Sequence, residues 1–297
     1  MAQPVDVAVA ILIRPDGQVL LAQRPVGKVY AGYWEFPGGK IEAGEPPARA
    51  IARELQEELG LEVERAYLWI TRTYVYPHGE VCLQFFRVRA WRGEIHPKEN
   101  QEIRWQSLSA PMASPMLPAN APVLAALALP FEYAITDAER MGAGAMLEKI
   151  AFRLSAGLKL IQVRDKRLEE RGDFIRSVVA LARRHGAKVL VNGEIGGDGV
   201  HYTAAQLMAL NERPSGVLAA ASCHTAEEMA RAMALRLDFA VLGPVKDKAS
   251  IGWQRFSELA KGASLPIYAI GGLRPSDMEE AWRAGAHGLA MIRGSWS

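Results

Sequence analysis

The sequence predicts an α+β unit over residues 1–130, then an α/β unit over residues 131–297 built as a trimmed (β/α)8 barrel. Three observations carry this. A chain of 297 residues suits two domains at roughly 150 residues each. Pro111, Pro115, Pro118, Pro122 and Pro130 crowd one segment, as the irregular close of a domain does. Beyond that segment, eight short apolar runs alternate with helical periods, the pattern of a parallel sheet.

In the first unit, residues 5–13 read as a strand, Pro15-Asp16-Gly17 as a turn, and residues 19–23 as the returning strand of a hairpin. A helical period covers 47–59, started by Pro46-Pro47 and stopped by Gly60. Residues 67–76 and 81–91 are β-rich. In the second unit, the candidate strands are 133–136, 158–164, 188–192, 199–202, 217–223, 239–245, 266–270 and 288–292. Helical periods fill most gaps, for example 225–236 and 276–284. The gap between 192 and 199 is too short for a helix, and residues 131–297 are fewer than the roughly 200 usual for this barrel, hence the trimming.

Composition excludes several classes. Apolar residues make up 49% and charged residues 23%, so the chain is globular rather than disordered. The formal net charge is +2, which gives no reason to expect direct nucleic-acid binding. No apolar run reaches membrane-spanning length, and no basic leader precedes Asp6, so neither membrane association nor a signal peptide is expected. Cys82 and Cys223 lie far apart and match no metal spacing, which suits a reducing cytoplasmic setting. There is no P-loop, and Gly142-Ala143-Gly144 lacks the third glycine of a dinucleotide fingerprint. Nothing in the sequence sets an oligomeric state.

The most informative stretch is the helix over 47–59. Glu54, Glu57 and Glu58 fall at i, i+3 and i+4 and share one face, while Ile51, Leu55 and Leu59 form the opposite stripe. Three carboxylates crowded together repel unless a cation sits among them, and a hard divalent ion with oxygen ligands meets that need. A solvated acidic face is the alternative. Gly38-Gly39 before the helix permits a tight bend near the site.

The run from Gly39 through Glu45 to Arg53-Glu54-Leu55-Gln56-Glu57-Glu58-Leu59-Gly60-Leu61 resembles the Nudix box at every fixed position. Trp34-Glu35-Phe36-Pro37-Gly38-Gly39-Lys40 and Leu117-Pro118-Ala119-Asn120-Ala121-Pro122-Val123 extend the resemblance to the MutT type, which hydrolyses 8-oxo-dGTP. The resemblance implies a nucleoside triphosphate substrate and Mg²⁺ or Mn²⁺ held by Glu54, Glu57, Glu58, Glu99 and the Gly38 carbonyl. Either Glu54 or Glu99 would take the proton of the attacking water. Arg53 and Glu45 would orient the carboxylates, Arg24 would contact the nucleotide, Phe36 would line the base pocket and Asn120 would read the base. Without the resemblance, spacing favours Asn120 as a cap for the helix at Pro122, Phe36 as core, and Arg24 as a surface charge. Gly79 stands where a relative carries a base-proximal arginine.

From residue 133 onward the chain resembles thiamin phosphate synthase. The matching stretches are Tyr133-Ala134-Ile135-Thr136-Asp137, Ile161-Gln162-Val163-Arg164-Asp165-Lys166, Gly199-Val200-His201, Ala221-Ser222-Cys223-His224-Thr225, Leu242-Gly243-Pro244 and Ala269-Ile270-Gly271-Gly272. Together the two resemblances imply an α+β Nudix fold followed by an α/β (β/α)8 TIM-barrel-like domain. Gln162, Arg164, Lys166, Ser222 and Gly272 match substrate-side positions. The departures fall on the metal. Gly193 and Gln206 stand where that family carries carboxylates, Lys246-Asp247-Lys248-Ala249-Ser250 replaces a Thr-rich loop, and Arg293 replaces a small residue. The expectation is a barrel retained for ligand binding, assembly or stability rather than synthesis. Asp198 as a substitute ligand keeps a bifunctional enzyme open, and a Nudix hydrolase of another diphosphate is a further alternative.

Overall fold

Side-chain parity along β1 (Val5–Leu12) organises the first unit. Successive strand residues face opposite sides, so Val9 and Ile11 enter one apolar cluster while Ala8, Ala10 and Leu12 enter another. The computed structural model describes residues 4–77, 79–110, 112–247 and 249–297, so Pro111 and Lys248 of the sequence reading lie outside the described residues. It divides into two units, Met1–Ala128 and Leu129–Ser297.

After β1 come β2 (Val19–Gln23), β3 (Trp34–Glu35), β4 (Gly38–Lys40), α1 (Pro47–Leu59), β5 (Glu62–Tyr76), β6 (Gly79–Arg92), β7 (Ile103–Gln106), a 3-10 turn over Pro118–Asn120 and α2 (Ala121–Leu127). One sheet has the order β4-β1-β6-β5 and a second the order β3-β2-β7. The expected hairpin between β1 and β2 is therefore corrected. β1 is flanked by antiparallel β4 and parallel β6, which occupy both its hydrogen-bonding edges. The two segments meet at the turn, through the bridge Ile13↔Val19 and the Arg14 N–H on the Gln18 carbonyl (3.0 Å), before β2 leaves to pair with β3 and β7.

The helix bounds match the sequence expectation. α1 buries Ala50, Ile51, Leu55 and Leu59, which pack with Ala8, Ala10, Leu12, Phe86 and Val88. Each large apolar side chain there contributes about 1.5–3 kcal/mol of burial. Gly60 ends the helix in the left-handed region at φ 74°, its N–H bonded to the Gln56 carbonyl. With that stripe fixed inward, the glutamate face is turned toward β4 and the cleft.

The second unit contains β8 (Glu132–Ile135), α3 (Ala138–Met141), α4 (Ala143–Ser155), β9 (Leu160–Val163), α5 (Arg171–Arg184), β10 (Lys188–Asn192), β11 (Gly199–Tyr202) and α6 (Ala204–Ala209). There follow β12 (Leu218–Cys223), α7 (Ala226–Ala234), β13 (Phe239–Leu242), α8 (Gly252–Ala260), β14 (Ile267–Ile270), α9 (Met278–Arg283) and β15 (Gly288–Met291). The eight strands close into one parallel barrel. Trimming is visible: residues 193–198 join β10 to β11 without a helix, and a 3-10 turn over Arg293–Ser295 follows β15. The same parity rule applies. Tyr133, Leu160, Leu190, Ala220, Phe239 and Tyr268 fill the barrel interior, while their sequence neighbours face the helices. Gln162, Asn192, His201 and Ser222 share the inward parity at the C-terminal ends of their strands, where barrel sites form.

Candidate active site

The polar face of α1 is a network centred on Arg53. Its guanidinium donates to Glu45 at 3.1 and 2.9 Å, to Glu54 at 2.8 Å, to Glu57 at 3.2 Å and to the Lys40 carbonyl at 3.0 Å. Bonding from Arg53 and from the Glu42 N–H holds the Glu45 carboxyl below the usual range. Gly39 packs directly on this face, and a Cβ there would collide with the Glu54 carboxylate. Gly38 adopts φ 143° and its Cβ would strike the Ala8 carbonyl. The Gly38 N–H donates to Glu58 at 3.2 Å.

A loop after β6 is fastened to the open C-terminal carbonyls of α1. The Lys98 N–H reaches the Glu58 carbonyl at 2.9 Å, Lys98 Nζ the Gln56 carbonyl at 2.8 Å, and Gln101 Nε2 the Glu58 carbonyl at 3.3 Å. This fastening carries Glu99 into a cleft lined by Lys28, Glu35, Gly38, Glu58 and Gln101. Glu58 is the electrostatic stress point: burial, then repulsion from Glu99, Glu54 and Glu35, push its carboxyl up to about 7. Lys28 pairs with Glu99.

Glu54, Glu57 and Glu58 thus share one face, and Glu58, Glu99 and Gly38 line one cleft. Among the described residues, no three His, Cys, Asp or Glu groups converge closely enough to hold an ion as arranged. Arg53 and Lys28 draw Glu54, Glu57 and Glu99 to themselves instead.

Arg24 reaches the cleft through Glu35, to which it donates at 2.7 and 2.6 Å, and it also donates to the Val29 carbonyl at 2.7 Å. Phe36 is 3% exposed, with its ring edge-on to Phe85. Asn120 is 5% exposed in its 3-10 turn. It makes no side-chain capping bond to α2, and among the described residues its Nδ2 meets only the Met116 sulfur, at 3.9 Å. The capping alternative is therefore corrected. The turn is docked by the Leu117 N–H on the Trp34 carbonyl (3.0 Å) and the Trp34 N–H on the Pro115 carbonyl (2.8 Å). Sequence reasoning missed Glu35, whose carboxyl burial raises, and Lys28. The available signal was a lone acid between Trp34 and Phe36. It also missed an aromatic group in which Tyr76 lies 5.6 Å from Tyr30 and 4.5 Å from Tyr74, close to Gly79 at the start of β6.

In the barrel, Gln162, Arg164, Lys166, Ser222 and Gly272 all line one cavity of about 920 Å³. Arg274 and Arg293 add positive charge to its wall, and Asp247 is its one acidic side chain among the described residues. Asn192 Oδ1 is buried there without a hydrogen-bond partner. The two departures from the family pattern meet each other: Gln206 Nε2 donates to the Gly193 carbonyl at 2.9 Å, while Gln206 Oε1 accepts from the Thr203 N–H at 3.0 Å. Asp198 is corrected as a substitute ligand. It precedes β11, at the opposite end of the barrel, and binds the Val189 N–H and Lys188 Nζ, each at 2.9 Å.

Comparison with known proteins follows this division. The family pattern described as NUDIX domain matches residues 3–127, and the one described as thiamine monophosphate synthase matches residues 132–294. The 8-oxo-dGTP diphosphatase of Escherichia coli K12 is 38% identical over 122 residues, covering 41% of this chain and 95% of its own length. The CTP pyrophosphohydrolase of the same organism is 39% identical over 124 residues, covering 40% and 87%. A putative thiamine-phosphate synthase of Geobacter sulfurreducens is 32% identical over 178 residues, covering 54% and 84%.

Proposed function

The chain belongs to the Nudix family through residues 3–127 and to the thiamine monophosphate synthase family through residues 132–294, a Nudix pyrophosphohydrolase joined to a barrel, and from that premise we propose that it clears oxidised nucleoside triphosphates. The substrate is 8-oxo-dGTP, the products are 8-oxo-dGMP and pyrophosphate, and the role is cytoplasmic nucleotide-pool sanitation that spares replication errors. The observation that carries this reading is the carboxylate face of α1 set against Gly38-Gly39.

The residues fit a hard divalent cation, because the donors are all oxygens and Glu58 is crowded by like charges that a cation would relieve. Glu54, Glu57, Glu58, Glu99 and the Gly38 carbonyl would hold Mg²⁺ or Mn²⁺. The metal would neutralise the triphosphate and acidify a water. The protein's own groups do the rest. Arg53, anchored on Glu45, fixes the carboxylates of Glu54 and Glu57. Glu54 or Glu99 accepts the proton of the water that attacks the β-phosphorus. Arg24 moves from Glu35 toward the nucleotide. Asn120 selects the base: guanine presents N7 as an acceptor beside O6, whereas oxidation at C8 puts a hydrogen on N7. An amide offers one donor and one acceptor, so it satisfies O6 and N7–H together and opposes ordinary guanine.

The barrel does not fit a divalent ion. Gly193 has no side chain, the Gln206 amide is committed to Thr203 and Gly193, and Asp198 lies at the far end. Its cation-lined cavity binds a ligand without catalysing synthesis. The deciding experiment is product analysis of the full chain with Mg²⁺ and a panel of 8-oxo-dGTP, dGTP and CTP. Preferred release of pyrophosphate from 8-oxo-dGTP is expected. Equal turnover of dGTP, or preference for CTP, would overturn the substrate assignment.

A further inference from the structure

Two loops meet at the cleft beside α1, and an ion pair joins them. The first covers residues 24–33. Backbone bonds close its neck: the Arg24 N–H on the Tyr33 carbonyl and the Gly32 N–H on the Arg24 carbonyl, each at 2.9 Å. Within it, the Lys28 N–H reaches the Pro25 carbonyl at 3.3 Å and the Ala31 N–H the Lys28 carbonyl at 3.1 Å. Tyr30 is held at φ 60°, a strained backbone for a bulky residue, with the Tyr33 and Tyr76 rings centred 5.2 and 5.6 Å from its own. The second loop is the one fastened to α1 through Lys98 and Gln101, and the Glu99 N–H adds a bond to Gln101 Oε1 at 2.9 Å. Lys28 Nζ lies 2.5 Å from the Glu99 carboxylate.

Neither loop needs that pair for its shape, because each is closed by its own bonds. Nor does the pair add much stability, since its side chains are 46% and 42% exposed and such pairs are weak. The charge pattern is more informative. Glu35, Glu58 and Glu99 all line the cleft, and among the described residues Lys28 is the one basic side chain that does so. Lys28 is thus the counter-ion of a carboxylate that the hydrolase reading gives to a divalent ion. Two cations compete for Glu99, and the doubly charged one wins the stronger attraction. The displaced ammonium rides on a flexible four-carbon stem, while its backbone stays fixed beside the cleft. Its charge therefore passes to the anion that the cleft holds.

We propose that Lys28 is a substrate-binding residue that holds Glu99 in the free protein and exchanges it for the phosphates of the nucleotide when a divalent ion takes Glu99. The inference rests on the hydrolase reading and adds to it a residue outside the carboxylate helix. The exchange couples two binding events: the ion frees the ammonium, and the nucleotide gives it a new partner. A pair that only steadied Glu99 would have the opposite effect on the ion and none on the nucleotide.

Calorimetry on the full chain reads both halves of the exchange without turnover. Mn²⁺ is titrated alone, and a non-hydrolysable nucleoside triphosphate analogue is titrated at saturating Mn²⁺. Lys28→Met removes the charge from an exposed side chain, and thermal unfolding checks that the variant folds. In it, Mn²⁺ is expected to bind about two- to fivefold more tightly and the analogue about three- to tenfold more weakly. Lys28→Arg is expected to keep both values near wild type. Steady-state kinetics of Lys28→Met should show a raised KM with kcat nearly unchanged. Mn²⁺ that binds Lys28→Met no more tightly than wild type overturns the exchange. An unchanged affinity for the analogue overturns the contact with phosphate. Wild-type protein that binds neither Mn²⁺ nor the analogue removes the hydrolase reading and this inference with it, whereas wild-type binding that Lys28→Met leaves unaltered removes this inference alone.

Discussion

Asn120→Ala separates base recognition from structure, because the free protein gives this side chain so little to do. The residue is buried, makes no capping bond, and touches only a thioether through its nitrogen. Loss of a true cap would cost about 0.5–2 kcal/mol. Here the folded protein loses no such bond, so stability falls by less than about 1 kcal/mol. The oxidised base loses two hydrogen bonds in a dry pocket, about 2–4 kcal/mol together. That corresponds to a drop of about 30- to 1000-fold in kcat/KM for 8-oxo-dGTP. Activity on dGTP, which never gains the N7–H bond, changes little. The assay is pyrophosphate release from both nucleotides at low substrate, with thermal unfolding as the control. A folded variant whose ratio of kcat/KM values stays within about threefold of wild type would refute the reasoning.

Glu54→Gln and Glu57→Gln should each lower kcat by about 1000-fold or more while circular dichroism and unfolding stay near wild type; near-normal turnover of both at saturating Mg²⁺ would remove the metal role. The pH dependence of the barrel follows from His201. Burial depresses its pKa to about 3 from the ordinary imidazole value of 6.5, so the unfolded chain binds the extra proton between those values. Stability is therefore full above about 6.5 and is lost as pH falls toward 3, by up to about 1.4 kcal/mol per pH unit, and hydrogen exchange at β11 amides should show it. His201→Gln should flatten that slope; an unchanged slope would place the acid sensitivity elsewhere. Incubation of the full chain with the two thiamin phosphate synthase substrates and Mg²⁺ should yield no thiamin phosphate above background, and measurable formation would restore the bifunctional reading.

Periodicity revealed the barrel because each of its strands is short, apolar and bounded by turn or helix signals. The same logic placed α1, whose inward stripe and glycine stop are both local features. The β1–β2 hairpin failed because proximity in sequence said nothing of β4 and β6, which had taken both edges of β1. Site residues followed a similar rule. Glu54, Glu57 and Glu58 were legible because helical spacing alone puts them on one face. Glu35 and Lys28 were not, because their meeting with Arg24 and Glu99 depends on how two loops cross the cleft. Asp198 misled because composition offers a carboxylate without saying at which end of a strand it sits. Asn120 was ambiguous for a local reason: Asn before a helix suits a cap as well as a ligand contact, and only the side-chain geometry separates the two.

Calorimetry of Mn²⁺ or Mg²⁺ binding to the full chain, with and without a non-hydrolysable nucleoside triphosphate analogue, tests the central claim most directly. The account predicts binding that tightens when the analogue is present and weakens at least about tenfold in Glu57→Gln. Absence of metal binding under both conditions would contradict it.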